Sequence, residues 1–413
     1  MDYGLKTLRN LILAHTLSYV MVTPYTIVKS RLGGVISRLI SRIDLELVAA
    51  QMITPDEEFT REYAELIRSA HPGELNSGRK LLADYIESHL GPSGGRKHRS
   101  ILLIFKGENP CIKLSEICGG IFPREKDFDS LDIESLNGET IRDTYADLIY
   151  SQEDPRKIIY FEPAILTPRK QEQTDKNLAL FARFLKTNEN IVSNQIYPDP
   201  SKVEQTLVMI KPDIWKFASS KPGTIIDMFS RTGLRIVGIK IIYFSPRQAL
   251  EFYGPVQASL KEKLAPAYGR RAREALENEF KIPLNDNTEK ILTEYVGTEF
   301  AEEEFRRIID FMSGARPERC SLGDIDKPGN VMCMILVYEG EDAINKIRHV
   351  LGPTDPLKAP GGTVRREFGS NIMVNSAHAS DSRESYEREK KIVKINENPL
   401  EDIISKYLNE REY

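Results

Sequence analysis

The chain has 413 residues and a formal net charge of −4, its 57 Lys and Arg nearly balanced by 61 Asp and Glu. That length suits two or three domains, and a charge so close to neutral argues against a whole-chain electrostatic grip on nucleic acid. Hydrophobic residues at 40% and charged residues at 29% are ordinary globular usage, which excludes disorder as the main theme.

At the amino end the apolar run of residues 11–14 stops at His15, far short of the length that spans a bilayer, and no convincing cleavage site follows it. Cys111, Cys118, Cys320 and Cys333 lie outside any paired metal spacing and are too sparse for a disulfide framework. A cytoplasmic protein, neither secreted nor membrane-bound, is expected.

Residues 19–25 (YVMVTPY) read as a buried strand stopped by a proline. An amphipathic helix over residues 34–42 and an alternating strand over 45–52 follow. Residues 101–105 form the next strand, and residues 107–123 (GENPCIKLSEICGGIFP) enclose a short helix before a Gly-x-x-x-Pro turn. Thr140, Ile141 and Arg142 come next. Residues 166–203 read as a helical linker, with Leu178, Phe181, Phe184 and Leu185 at helical spacing and a YPDPSK stretch at its end.

From residue 204 the same order returns. Residues 207–213 (LVMIKPD) match 19–25, residues 223–231 and 234–241 repeat the helix and strand, and residues 340–356 (GEDAINKIRHVLGPTDP) align without a gap to 107–123. Strand 332–337 precedes that block, as 101–105 precedes the first, and Thr363, Val364 and Arg365 repeat Thr140, Ile141 and Arg142. Four matched blocks in one order point to a duplication. Residues 256–299, rich in Lys, Arg, Glu and Leu, have no counterpart and read as a helical insertion; Arg270, Arg271 and Arg273 stand within it.

The chain has no P-loop and no dinucleotide fingerprint. Of His15, His71, His89, His98, His349 and His378, only His378 lies in a run of small polar residues, NSAHASDS, beside an Asp381-x-x-Glu384 pattern that reads as a helix start with a capping carboxylate. A neutral imidazole suits phosphoryl transfer, since its unperturbed pKa of about 6.5 leaves a nucleophilic nitrogen at physiological pH. Lys211, Arg348, Thr354 and Arg365 could hold phosphate oxygens.

The segments MIKPD (209–213), GPTDP (352–356), GTVR (362–365) and HASDS (378–382), with Glu384, Glu387 and Glu389, resemble the signature of nucleoside diphosphate kinases over nearly all of residues 204–395 outside the insertion. The resemblance implies two tandem ferredoxin-like α/β sandwich domains with antiparallel four-stranded sheets. It also implies transfer of the terminal phosphate between nucleoside tri- and diphosphates through a phosphohistidine, with Mg2+ on the nucleotide phosphates rather than in a protein cage.

Carried over by residue, the resemblance makes His378 the nucleophile, Glu389 the carboxylate that orients it and Ser380 a hydrogen-bonding partner. Lys211, Arg348, Thr354 and Arg365 would contact the phosphates, Tyr253 the reacting phosphoryl group, and Asn375 the sugar and phosphate. Phe305 or Phe300 would stack on the base. Two departures stand out: Ala379 replaces the glycine after the histidine, and the Gly361–Gly362 pair adds a residue before Thr363.

In the first half Arg348 is matched by Ser115, Thr354 by Ile121 and Lys211 by Thr23, and no histidine follows Arg142 in DTYADLIYSQEDP; Arg142 and Tyr63 remain. Residues 1–165 are therefore expected to form a noncatalytic copy, and residues 204–413 the catalytic domain. Since the resemblance implies a family that assembles through paired domains, the expected partners are nucleotides and the chain's own first copy, in an internal pseudo-dimer that could further self-associate. The insertion could form a lid over the base. A nucleotide-binding scaffold without useful turnover is the alternative, motivated by Ala379 and the insertion.

Overall fold

Alternation along the strands decides which core each side chain joins. The computed structural model describes residues 16–69, 77–121, 138–154, 157–192, 196–397 and 399–411. Its first half contains β1 (Thr16–Val22), α1 (Leu32–Arg42), β2 (Glu46–Ile53), α2 (Glu57–Ser69), β3 (Ser100–Gly107), α3 (Pro110–Cys118), a separate hairpin of β4 (Asp147–Tyr150) and β5 (Ile158–Glu162), then β6 (Ile165–Leu166) and α4 (Gln171–Leu185).

Its second half contains β7 (Val203–Ile210), α5 (Lys221–Ser230), β8 (Arg235–Ile242), α6 (Pro246–Phe280), α7 (Asp286–Leu292), α8 (Thr298–Ser313), β9 (Cys333–Glu341), α9 (Ala343–Leu351), α10 (Val364–Phe368), β10 (Ala377–Ala379), α11 (Arg383–Val393) and α12 (Leu400–Arg411). The sheets have equivalent antiparallel orders, β2-β3-β1-β6 and β8-β9-β7-β10. Each is a ferredoxin-like α/β sandwich, as the sequence led us to expect. His15, His71 and Pro123 lie outside the described residues, and no helix among those described is long and apolar enough to cross a membrane.

Both faces of each sheet are covered. On β7 and β9, Val208, Ile210, Met334 and Leu336 enter a central core, whereas Leu207, Met209, Ile335 and Val337 enter an outer core under α6, α8 and α11. Val20, Val22, Leu103 and Phe105 join the same central core from the first half. That shared core is built by α1, whose Leu32, Val35, Ile36 and Leu39 recur at helical spacing, against α5, with Ile225, Ile226 and Phe229. The helices touch at Gly33 and Gly223, where a Cβ on either would strike the other's carbonyl oxygen.

Asn190 joins the two sheets. It is fully buried, accepts from the Met52 backbone N–H at 2.8 Å and donates to the Ile239 and Ile395 carbonyls at 2.7 and 2.9 Å. Asn190→Ala would strand these groups, each loss costing about 1–3 kcal/mol. Chemical denaturation of the full chain should show at least that much lost stability; an unchanged midpoint would refute the clamp.

Two boundaries differ from the sequence expectation. A first domain ending at residue 165 would cut β6, which pairs with β1, and α4 packs on the first sheet through Leu178 and Phe181, so residues 166–185 belong to that sandwich and are not linker. At the other end, α12 places Leu400, Ile404 and Tyr407 in the first half's outer core, and Tyr407 Oη donates to Asp175 on α4 at 2.8 Å. Helix α12 thus belongs to the first half's outer core although it follows the second half in sequence. The insertion also has no separate beginning: α6 runs unbroken through residue 256 and carries Pro255 and Pro266 inside it.

Candidate active site

The site is built around the edge strand β10. His378 pairs with Met209 across β7, and since Ala377 and Ala379 face the central core, the imidazole faces the opposite side. It meets Phe252 and Tyr253 there, edge to face, with ring centroids at 5.1 and 6.4 Å. Its side chain keeps 22% of its surface exposed and lines the cleft.

From α11, the almost fully buried Glu389 Oε1 lies 3.0 Å from His378 Nε2, and Glu389 Oε2 accepts from Ser380 Oγ at 2.7 Å. Nε2 is thereby the nitrogen tied to the carboxylate, and Nδ1 is the ring nitrogen without a hydrogen-bond partner among the described residues. Arg388, which the sequence reading did not single out, approaches Glu389 Oε1 at 3.4 Å and donates to the Phe252 carbonyl at 3.0 Å. Its place beside Glu389 in the sequence was the available signal.

Helix α11 starts at Arg383. Ser382 caps it by accepting from the Ser385 N–H at 3.1 Å, so the cap is a hydroxyl and not the expected carboxylate. Asp381 instead accepts from Ser385 Oγ at 2.6 Å, a bond that holds its carboxyl below the usual range.

Lys211 follows the last residue of β7, just where Pro212 prevents the strand from continuing. Its Nζ is buried and donates to Asn375 Oδ1 at 2.7 Å and the Met373 carbonyl at 3.3 Å. Burial first, and then the Arg365 charge, pull its pKa down to about 8, while Asp213 acts in the opposite direction. Arg365 donates to the Gly352 and Ala377 carbonyls at 3.0 and 3.3 Å, and burial with the Arg348 charge lowers its pKa to about 10. Its Nε and the Tyr253 hydroxyl are buried without hydrogen-bond partners among the described residues. Arg348 donates to the Asp381 carbonyl at 3.3 Å, and Asn375 Nδ2 to the Thr354 carbonyl at 3.1 Å.

Lys211, Tyr253, Arg348, Thr354, Arg365, Asn375 and His378 line one cleft of about 1800 Å3. Glu389 and Ser380 stand behind the histidine. Three cations and two partnerless buried donors converging on a histidine form a site for a multiply charged oxyanion.

Phe305 is a correction. It is 5% exposed and packs with Ile309 and Met312 in the outer core, so it cannot stack on a base in the cleft. Phe300, the other candidate, lines the cleft with Glu304, Ile308 and Phe311 along the same face of α8, and stacks on Tyr268 of α6 at an interplanar angle of 18°. Arg271 lies over Tyr268, 4.9 Å from the ring centroid. Phe300, Ile308 and Phe311 of α8, with Val256, Leu260 and Leu264 of α6, thus give the cleft an apolar lining in addition to its cations. Ala379 lies in β10 without a positive φ, so its methyl is tolerated, whereas Gly362 at φ 81° uses a conformation that favours glycine.

The first half repeats the framework with other residues at the histidine and carboxylate positions. Arg142 donates to the Gly119 and Ile165 carbonyls as Arg365 does to those of Gly352 and Ala377. Opposite Met21, however, where Met209 faces His378, stands Leu166, buried in the first outer core. Eleven residues on, at the position of Glu389, Asn177 donates to Tyr19 Oη at 2.7 Å.

The family model for nucleoside diphosphate kinase matches residues 204–263 and 323–397, leaving out part of the inserted helical hairpin. A nucleoside diphosphate kinase of Hyperthermus butylicus is 32% identical over 190 residues, 46% of this chain and 91% of that protein. One from Thermosipho africanus is 30% identical over 190 residues, 46% of this chain and 88% of its own. Among solved structures, an NDP kinase from Pyrobaculum aerophilum shares 28% identity over 46% of this chain and 94% of that one, with a TM-score of 0.31. The chain belongs to the nucleoside diphosphate kinase family.

Proposed function

We propose that the second half is a nucleoside diphosphate kinase that moves the terminal phosphate of a nucleoside triphosphate to a nucleoside diphosphate through phosphohistidine at His378. The observation that carries this reading is the Glu389–His378 pair beside a cleft that gathers Lys211, Arg348 and Arg365. With Nε2 held by Glu389, the Nδ1 lone pair attacks the terminal phosphorus. The Nδ1–P bond forms as the bond to the bridging oxygen breaks, and the diphosphate leaves with that electron pair. A second diphosphate reverses the step.

Lys211 and Arg365 contact the phosphoryl oxygens, Arg348 and Thr354 the inner phosphates, and Asn375 the sugar. Ser380 supports Glu389 from behind. A phosphate end with three cations and the Asp381 carboxylate fits Mg2+ that arrives on the nucleotide; bound there it neutralises charge on the transferring phosphates. The scaffold alternative loses its motive at Ala379, which sits unstrained in β10.

Helices α6 and α8 serve as the base wall, with Phe300 of α8 the stacking residue. Phe300→Ala should raise KM for nucleotides roughly 5- to 100-fold, the loss of about 1–3 kcal/mol of base stacking, with kcat little changed. A kcat collapse at constant KM would contradict a binding role.

We also infer that residues 16–185 and α12 form a noncatalytic partner domain, and that residues 203–393 form the catalytic one. The shared core of α1 and α5 and the Asn190 clamp support an internal pseudo-dimer. The direct test of function is to incubate the full chain with labelled ATP, Mg2+ and a different nucleoside diphosphate. Label should appear in the new triphosphate; none appearing from well-folded protein would defeat the reading.

A further inference from the structure

The family chemistry leaves unexplained a second cavity, of about 530 Å3, lined by residues of both halves. Its volume falls in the range of about 300–1,000 Å3 typical of small-molecule sites. One wall comes from the loop GPSGGRKHR (residues 91–99), in which Gly94 and Gly95 have φ of 55° and 72°. Arg96, Lys97 and Arg99 of this loop line the cavity together with Arg235 from β8.

No carboxylate lies within 4.0 Å of any of these four cations among the described residues. Arg99 is only 9% exposed; its guanidinium donates to the Ile236 carbonyl across the two halves, and burial and the neighbouring Arg235 both depress its pKa. Arg235 donates to the Ile196 carbonyl at 3.0 Å. The carboxylate that acts on Arg99 from farther off, Glu339, is already bonded to Tyr197 Oη at 2.8 Å and Gln205 Nε2 at 2.7 Å.

Tyr338 also lines the cavity; it is 1% exposed, and its buried hydroxyl has no hydrogen-bond partner among the described residues. Asp227 also lines the cavity, where burial pushes its carboxyl up to about 6, and no ion pair joins it to the four cations among the described residues. Like charges gathered on a concave wall raise the local concentration of anions, and an unsatisfied buried hydroxyl marks a place where a polar group is missing.

We propose that this cavity binds a phosphate-bearing ligand of nucleotide size, with its phosphates on the Arg96–Arg99 loop and Arg235 and its other end toward Tyr338. Because its wall comes from both halves, such a ligand ties the noncatalytic half to the catalytic one. This gives the first half a binding role although it lacks His378 and Lys211.

The test is calorimetric titration of ATP into the full chain, into Arg96→Glu/Lys97→Glu, and into Lys211→Ala. Wild type should bind two ATP per chain. The loop variant should weaken one event on the order of tenfold or more, leaving the other event and phosphate transfer unchanged, whereas Lys211→Ala should weaken only the other. A single event that Lys211→Ala weakens and the loop variant leaves intact would overturn the proposal. Retention of the loop-dependent event with no event sensitive to Lys211 would support this site and count instead against the reading of the cleft.

Discussion

His378→Ala should lower phosphate transfer by about 10^4-fold or more, since loss of a covalent nucleophile removes the reaction path itself rather than one stabilising contact. The fold should survive. His378 is partly exposed on a three-residue edge strand whose neighbours Ala377 and Ala379 supply the core packing, so the substitution opens no large cavity. The measurement is steady-state transfer from ATP to a diphosphate acceptor, alongside circular dichroism and thermal melting. Retention of more than a few per cent of turnover in folded protein would show that another group carries the phosphate.

Lys211→Ala should be the next most damaging change, costing roughly 2–4 kcal/mol of transition-state stabilisation, about 30- to 10^3-fold in kcat/KM. The reason lies in its placement. Nζ is fixed by Asn375 and the Met373 carbonyl before any nucleotide arrives, so its charge needs no reorganisation as charge spreads on the phosphoryl group. Its position also fixes a pH dependence. With a pKa drawn down from 10.5 to about 8, the free enzyme loses this charge as pH rises through 8, and kcat/KM should fall on the alkaline side. A Lys211→Arg variant, always protonated, should remove that limb. A wild-type profile flat to pH 10 would mean that Lys211 stays charged or does not matter.

The site was legible in the sequence because its chemistry is local. Lys211 follows a strand and precedes a proline, Arg365 follows GGTV, and Glu389 lies eleven residues beyond His378, so each could be placed by motif and spacing. The repeat was legible for a similar reason: strands and a gapless Gly-to-Pro block keep their order. What escaped depends on contacts distant in sequence. Leu166 and Asn177 occupy the positions of His378 and Glu389, and with the signature side chains gone β6 and α4 resembled a linker. The return of α12 to the first half left no local periodicity to read.

Phe305 was misplaced although its pattern was available. Phe305, Ile309 and Met312 form one helical stripe and Phe300, Glu304, Ile308 and Phe311 another, but only the structure says which stripe faces the core. The extent of α6 was hidden by Pro255 and Pro266, which ordinarily signal a helix end and here lie inside 35 helical residues.

In the mechanism proposed above, Nδ1 of His378 carries the phosphate between two nucleotides. The most direct test of this step is mass spectrometry of the full chain after brief exposure to ATP and Mg2+, with peptide mapping under neutral conditions. One acid-labile phosphoryl group should appear, on His378, and disappear when a nucleoside diphosphate is added. An adduct on another residue, or turnover without any adduct, would contradict it.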